Sequence, residues 1–304
     1  MAEGKILLQP DTLWKSIKQQ TDHALQCGAL LSIPTKFEFV EQDGINFLVR
    51  ILSNITRKET AKKQQQKQAN AGQEFNPFLP YEEDLFVADI SNTHVCILNK
   101  FNVVDYHLLI ITRAFAEQES LLTLADFAAM WACLAGVDGL VFYNSGKIAG
   151  ASQRHKHLQL VPLPLTESGL LVPIAPLLPL TKFPDVVTTI PQLKFVHGFA
   201  RLNPNWVDSP FTGAEATLEI YHKLLHSVGL DVVDNNQKVG AYNLLATREW
   251  MLIVPRSQEH FQTISVNSLG FAGALLVKNE MEMQLLKHHG PMNILEKVSC
   301  SKSL

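Results

Sequence analysis

The sequence has few cysteines and no long apolar run. Its 304 residues include four cysteines, which are Cys27, Cys96, Cys133 and Cys300. They form no Cys-x-x-Cys pair, which argues against a cysteine-rich zinc site and against a disulfide framework. The first residues lack the apolar core of a signal peptide, and no stretch is long and apolar enough to span a bilayer. We therefore expect a cytoplasmic protein that is not bound to membranes.

An excess of positive charge is lacking too. The chain has 26 lysines and arginines against 29 aspartates and glutamates, for a formal net charge of −3. Nucleic-acid-binding proteins usually carry a basic excess, so nucleic acid is not expected as a partner. Hydrophobic residues make up 46% of the chain, which is enough for a large core. We predict one catalytic unit over residues 1–304.

The hydrophobic patterns predict a mixture of helices and strands. Helical spacing is found at 11–27, 124–135, 212–228 and 268–286, with Thr123 as a helix cap. Strands are predicted in a hairpin at 37–52 and at 85–89, 95–98, 107–112, 140–143, 242–246 and 250–254. Because strands and helices do not alternate regularly, we predict an α+β fold built on an antiparallel sheet with flanking helices.

The chain also contains a weak internal sequence similarity. Residues 106–113 resemble residues 250–256. Chance similarity between two strands is one explanation, and two fused half-domains is the other. The approximate halves are 1–195, which holds the stretch at 150–160, and 196–304, which completes the sheet. The polar tract at 58–75, rich in glutamine and lysine, is predicted to be a mobile loop.

The most informative stretch is Gly-Ala-Ser-Gln-Arg-His-Lys-His-Leu-Gln-Leu at 150–160. In an extended conformation, His155, His157 and Gln159 line one face, and Lys156, Leu158 and Leu160 line the other. A turn at Asn144-Ser145-Gly146 and a second at 150–153 place small residues and backbone donors beside them. This combination predicts a site where an imidazole meets a phosphate.

Nucleophilic attack on phosphorus requires one neutral ring nitrogen, with the other held as N–H by an acceptor. Backbone N–H groups of the glycine turn would then stabilise the phosphoryl oxygens. Two histidines at this spacing also occur in zinc sites, which need further ligands. Gln159 is a poor zinc ligand and no cysteine lies nearby in the sequence, so the nucleophile interpretation is favoured over a metal site and over a purely structural role.

The stretch resembles the active-site signature of the ATP adenylyltransferases, also called diadenosine tetraphosphate phosphorylases, of the histidine-triad superfamily. Other segments resemble the same family: Asn76-Pro77-Phe78-Leu79-Pro80-Tyr81-Glu82, Leu98-Asn99-Lys100-Phe101-Asn102, Tyr143-Asn144-Ser145-Gly146-Lys147, Tyr242-Asn243-Leu244-Leu245, Arg248-Glu249-Trp250-Met251 and Asn267-Ser268-Leu269-Gly270-Phe271. The resemblance covers most of the chain outside the 58–75 tract and the termini. It implies a histidine-triad-like sheet.

The resemblance also implies roles for individual residues. His157 would be the nucleophile, His155 would orient it, and Gln159 would hold phosphoryl oxygens where hydrolytic relatives carry a third histidine. The nucleotide-binding residues implied are Asn99, Asn144, Ser145, Gly146, Gly150, Ala151, Ser152, Gln153, Lys58 and Lys278. Asn99 would contact ribose, and the two lysines would face the polyphosphate or, equally, solvent.

The implied reaction is phosphate-dependent cleavage of diadenosine tetraphosphate to ATP and ADP through an adenylyl-histidine intermediate. The implied ligands are diadenosine tetraphosphate, ATP, ADP, AMP and phosphate, with adenosine phosphosulfate as a further substrate. A divalent cation such as Mg²⁺ would bind through substrate phosphates, with no protein metal ligands and no tightly bound cofactor. Two alternatives remain open: a hexose-1-phosphate nucleotidyltransferase of the same superfamily, and a dinucleotide sensor without turnover. The sequence leaves monomer and homodimer open.

Overall fold

The computed structural model describes residues 5–53, 76–165, 171–179, 186–230 and 240–302. The predicted loop at 58–75 and its Lys58 lie outside these residues. In the described part, no helix is long and apolar enough to cross a membrane.

A sheet of eight strands forms the centre of the molecule. The strands are β3 (Phe86–Asp89), β4 (His94–Leu98), β5 (Leu108–Thr112), β6 (Gly139–Asn144), β7 (His157–Pro162), β8 (Gly198–Arg201), β9 (Tyr242–Ala246) and β10 (Trp250–Pro255). Their order is β3-β4-β5-β7-β6-β9-β10-β8. Each pair of neighbours is antiparallel. The predicted α+β fold on an antiparallel sheet is therefore confirmed.

Three helices pack on one face of this sheet: α1 (Pro10–Cys27), α2 (Leu124–Gly136) and α3 (Pro210–Ser227). Helix α2 starts where predicted. Thr123 accepts a hydrogen bond from the backbone of Asp126, and the Asp126 side chain reaches back to the Thr123 N–H, so the two form a capping box. The buried side chains of α2 and α3 share one core with the inner face of the sheet.

The other face is covered by a second, three-stranded sheet, made of β1 (Thr35–Gln42), β2 (Ile45–Leu52) and β13 (Ala274–Val277). The hairpin β11 (His260–Phe261) and β12 (Ile264–Ser265) lies nearby, as do the helices α4 (Ser268–Phe271), α5 (Glu280–His289) and α6 (Pro291–Val298). These elements form a separate hydrophobic core against the central sheet. β13 pairs with β2 in parallel, so hydrogen bonds join a strand near the C-terminus to a strand near the N-terminus.

The single helix predicted over 268–286 is wrong. The structure divides this segment into α4, β13 and α5. The apolar run from Ala274 to Val277 gains ladder partners on β2, from Leu48 to Ile51, which a helix would not give it. Asn279 then starts a new helix by accepting a hydrogen bond from Glu282 N at 3.0 Å.

One order of elements occurs twice in the central sheet. The series β5, α2, β6, β7 is followed along the chain by β8, α3, β9, β10, and the two series meet where β6 pairs with β9. The internal sequence similarity matches 106–113, which contains β5, with the region of β10. The repeated order instead gives β10 the position of β7 and β8 the position of β5, so the duplication stays a prediction.

Candidate active site

The predicted two-faced strand is present at the middle of the sheet. Leu158 and Leu160 on β7 point into the core beneath the helices. Lys156, on the same side, donates from Nζ to Asp126 Oδ2 at 2.8 Å and is buried. His155, His157 and Gln159 therefore lie on the opposite face, as the period of two predicts.

The protonation of His157 is fixed by its own backbone. Its Nδ1 lies 2.8 Å from the carbonyl oxygen of His155. A carbonyl can only accept, so Nδ1 carries the proton and Nε2 keeps its lone pair. The ring is buried, and this burial lowers the pKa of His157 to about 4. At neutral pH the ring is an uncharged imidazole with a nucleophilic Nε2.

His155 has the opposite tautomer. Its Nε2 donates to the carbonyl oxygen of Thr112 at 2.7 Å, and its Nδ1 accepts from Asn76 Nδ2 at 2.9 Å. Burial lowers the pKa of His155 as well. Both of its ring nitrogens are therefore engaged within the protein, so of the two histidines His157 has the geometry of an attacking group and His155 that of a support.

Gln159 is held by a histidine that the sequence analysis did not select. His107 Nε2 donates to Gln159 Oε1 at 3.0 Å, and Asn99 Nδ2 donates to His107 Nδ1 at 3.2 Å. Burial lowers the pKa of His107 to about 4, so it too is neutral. Asn99 after β4, His107 before β5 and Gln159 on β7 form one hydrogen-bonded row. The predicted site residues Asn99 and Gln159 are thus brought together.

The turn after β6 is built differently from the prediction. The backbone N–H groups of Gly146, Gly150 and Ala151 donate to the carbonyls of Asn144, Lys147 and Gly146, at 2.9, 2.9 and 3.0 Å. These three donors stabilise the turn itself. The expected cradle of backbone N–H groups for phosphate is therefore not formed by them in this structure.

Side chains supply other polar groups at the same place. Ser145 is buried, and its Oγ has no hydrogen-bond partner among the described residues. Buried hydroxyls are normally satisfied, so this one is suited to a ligand oxygen. Ser152 is exposed and Gln153 is half-buried, at the entrance to β7.

Asn144 has a different environment from Ser145. Its Oδ1 accepts from Asn243 Nδ2 at 2.9 Å, from Ser268 N at 2.9 Å and from Ser268 Oγ at 2.8 Å. The amide oxygen of Asn144 is thus used to join β6 to β9 and α4. Asn144 therefore stabilises the packing of these three elements around the site.

Two further buried residues hold the site, and the sequence analysis missed both. Gln118 accepts from His157 N at 2.8 Å and donates to Asn144 O at 2.9 Å, which links the end of β6 to the start of β7. Arg256 donates to Asn243 Oδ1 at 2.5 Å and to Val266 O at 2.9 Å. Burial lowers the pKa of Arg256 to about 10, which still leaves it charged at neutral pH.

Lys278 is not in contact with the histidine strand. It is 53% exposed, with Nζ 3.3 Å from Thr263 O and 3.7 Å from Glu282 Oε1. Its predicted role as a polyphosphate contact gains no support from these contacts, and Lys58 lies outside the described residues.

An apolar pocket adjoins the turn. It lies between β2, β13 and the segment after Asn99, and its lining includes Leu48, Arg50, Val104, Asn267 and Leu269. A Cβ built on Gly150 would lie 3.2 Å from Asn267 Cα, so the pocket borders the turn directly. Its lining is mostly apolar, and Arg50 and Asn267 are its polar residues.

In the described part of the chain, metal-binding side chains come together away from the histidine strand. One group of three emerged there, His23, Cys27 and Asp84, whose ligand atoms lie within 4.8 Å of one another at the exposed side of α1. This group does not include His155 or His157.

Two family models match most of the chain. Residues 3–180 match the family described as Ap4A phosphorylase N-terminal domain, and residues 191–301 match the ATP adenylyltransferase C-terminal domain. Diadenosine 5',5'''-P1,P4-tetraphosphate phosphorylase 2 of Saccharomyces cerevisiae is 28% identical over 236 residues, which cover 69% of this chain and 71% of the yeast protein.

Solved structures agree with the fold. The crystal structure of yeast Ap4A phosphorylase Apa2 in complex with AMP superimposes with a TM-score of 0.78 at 22% identity, covering 98% of this chain and 99% of the yeast chain. The complex of Apa2 with Ap4A gives a TM-score of 0.77 at 21% identity, covering 98% and 100%. Because the matching family model spans residues 3–180, which is more than half of the sequence, this chain belongs to the Ap4A phosphorylase family.

Proposed function

We propose that this protein cleaves diadenosine tetraphosphate with inorganic phosphate, giving ATP and ADP. The observation that carries the proposal is the neutral His157, whose Nδ1–H is fixed by the His155 carbonyl and whose Nε2 is left for attack. The family match supports an adenosine phosphate as the group attacked, and the unpartnered hydroxyl of Ser145, after β6, is available to a ligand oxygen.

The reaction takes two displacements. In the first, His157 Nε2 bonds to the phosphorus next to one adenosine, the bond from that phosphorus to the bridging oxygen breaks, and ATP leaves. In the second, an oxygen of inorganic phosphate bonds to the same phosphorus, the N–P bond breaks, and ADP leaves. His157 regains its lone pair, and neither step needs an oxidant or a reductant. Ping-pong kinetics follow from the covalent intermediate.

Gln159 favours transfer of the adenylyl group to phosphate over its transfer to water. The Oε1 atom of Gln159 accepts from His107 Nε2, so the NH₂ group of Gln159 is left to donate to a ligand. An amide can donate to phosphoryl oxygens but cannot remove a proton from water. This supports an intermediate that persists until phosphate arrives.

The finer features of the reaction are proposals of the same kind. Adenosine phosphosulfate offers the same adenylyl phosphorus with sulfate as leaving group, and would also give ADP. Mg²⁺ suits a site of hydroxyls and amides, because it is then held through substrate phosphates and water more than by protein ligands. We further propose a cytoplasmic enzyme, monomeric or homodimeric, whose ligands are ATP, ADP, AMP and phosphate. Its four cysteines form no disulfide in the structure, which fits a reducing compartment.

The proposal is tested by the dependence of cleavage on phosphate. Diadenosine tetraphosphate should be converted to ATP and ADP with phosphate and should not be consumed steadily without it. His157→Asn should abolish this turnover. His197→Asn is the matched control, since His197 Nδ1 also donates to the carbonyl two residues earlier, at 2.8 Å, but its Nε2 accepts from Ile190 N. Cleavage to AMP without phosphate, or an active His157→Asn variant, would refute the proposal.

A further inference from the structure

Asn76 reaches the candidate active site from outside the central sheet. It lies 79 residues before His155 in the chain, and its Nδ2 lies 2.9 Å from Nδ1 of that ring. The opposite ring nitrogen donates to Thr112 O at 2.7 Å. The imidazole of His155 is thus held at both ends, by the backbone of β5 on one side and by a side-chain amide on the other.

The orientation of the Asn76 amide is fixed as well. Its Oδ1 accepts from Phe78 N at 3.0 Å, which forms a tight turn from residue 76 to residue 78. A backbone N–H can only donate, so the oxygen must face Phe78 and the NH₂ group must face His155. His155 is therefore required to accept at Nδ1.

Phe78 completes this contact. Its ring meets His155 edge-on at 5.6 Å and His157 edge-on at 5.3 Å, measured between ring centroids, and it is buried. One short segment thus touches both histidines. The carbonyl oxygen of His155 accepts the hydrogen bond from His157 Nδ1. A shift of the His155 backbone therefore changes the direction in which His157 Nε2 points.

We propose that Asn76 is a positioning residue for the nucleophile, acting through His155. Its amide locks the His155 ring as an acceptor at Nδ1, and the locked residue presents its carbonyl to His157 Nδ1. Asn76 does not touch the reacting atoms. The kinetic part of this inference rests on the proposed phosphorolysis, whereas the hydrogen bond itself does not.

Two substitutions separate this role from a merely local turn. In Asn76→Ser, the hydroxyl can still accept from Phe78 N but is too short to reach His155, so the turn persists and the histidine contact is lost. In Asn76→Asp, the turn persists and the carboxylate can accept from a protonated His155 Nδ1. Two other charged residues lie beside His155. Glu117 forms an isolated antiparallel β-bridge with His155, and Arg154 precedes it in the chain. Arg154 Nη2 donates to Glu117 Oε1 at 2.6 Å.

The kinetic test compares both variants with the wild-type protein. Asn76→Ser should lower kcat by about tenfold or more with KM changed by less than about threefold, because alignment and not binding is lost. Asn76→Asp should recover most of kcat. If Asn76→Ser keeps kcat within about twofold of wild type, Asn76 serves only the turn and the inference is wrong.

A second measurement does not depend on turnover. Nitrogen-15 NMR of the histidine rings should show His155 with an unprotonated Nδ1 in the wild-type protein and a protonated Nδ1 in Asn76→Asp. A His155 that is protonated at Nδ1 in the wild-type protein would overturn the inference. A wild-type protein with the expected ring signals and no phosphorolysis would instead contradict the proposed function.

Discussion

Burial decides the charge of the histidines at the candidate site. His107 and His157 are both buried, and the loss of hydration lowers the pKa of each to about 4. A nucleophile must be neutral, so this environment keeps His157 in its reactive form across the neutral range. The two-residue spacing of His155 and His157 gave no indication of this, because the pKa depends on what packs around the rings.

A pH profile tests this at the level of the residue. The neutral form of His157 predominates above its pKa, so the rate of adenylyl transfer to the enzyme should be flat from neutral pH down to about 5.5 and should fall as the pH approaches 4. Rapid-quench measurement of the first turnover gives this rate. A decline centred near 6.5, the value of an exposed histidine, would show that the ring is hydrated.

The residues that were found from the sequence share a local pattern. His155, His157 and Gln159 alternate along one strand, and alternation alone places them on one face. Asn76, Gln118 and Arg256 could not be found in this way. Each reaches the site from a distant segment, and each looks in the sequence like an ordinary polar residue.

At the scale of elements, the turn after β6 packs closely against the two residues that precede α4. Gly150 has φ of +90°, and a Cβ there would lie 2.9 Å from Val266 O and 3.2 Å from Asn267 Cα. Gly28, after α1, has φ of +79° with nothing within 4 Å of its Cβ position. The two glycines differ mainly in the space around them.

This pair gives a matched stability test. Gly28→Ala should lower the free energy of unfolding by about 1 kcal/mol through backbone strain alone. Gly150→Ala should cost roughly 2–4 kcal/mol, since backbone atoms must move, and should also reduce phosphorolysis. Urea unfolding of both variants measures the difference. Equal losses would mean that the turn can shift without cost to the site.

Element prediction succeeded where one hydrophobic period ran between clear ends. Helix α2 is such a case, since Thr123 marks its start and its apolar residues recur along it. It failed at 268–286, where β13 is determined by pairing with β2, more than 220 residues earlier in the chain. A long-range parallel pairing leaves no mark on the local sequence.

At the scale of the whole molecule, the two series of elements share one sheet and are not separable layers. β6 pairs with β9 through four residue pairs, and the N-terminal strand β2 pairs with the C-terminal strand β13. The repeated order supports an origin as two half-domains, which stays a prediction. The strand β10, which occupies the position of β7 in the second series, is apolar and buried and has no counterpart of His157.

The shared sheet predicts the behaviour of the halves. Fragments 1–195 and 196–304 should each fail to unfold cooperatively, because each would expose unpaired edges at β6 or β9 and half of a core. The intact chain should show a single urea transition. Circular dichroism of the two fragments and the full chain makes the comparison, and a cooperative transition in fragment 1–195 alone would establish independent domains.

The most direct test of the central claim is to isolate the covalent intermediate. The wild-type protein is incubated with diadenosine tetraphosphate in the absence of phosphate, quenched in base and examined by intact mass and peptide mapping. We expect one acid-labile adenylyl group per chain, on the peptide that contains His157, and its release as ADP when phosphate is added before the quench. An adduct on another residue, an adduct that persists in His157→Asn, or turnover with no adduct at all would contradict the account.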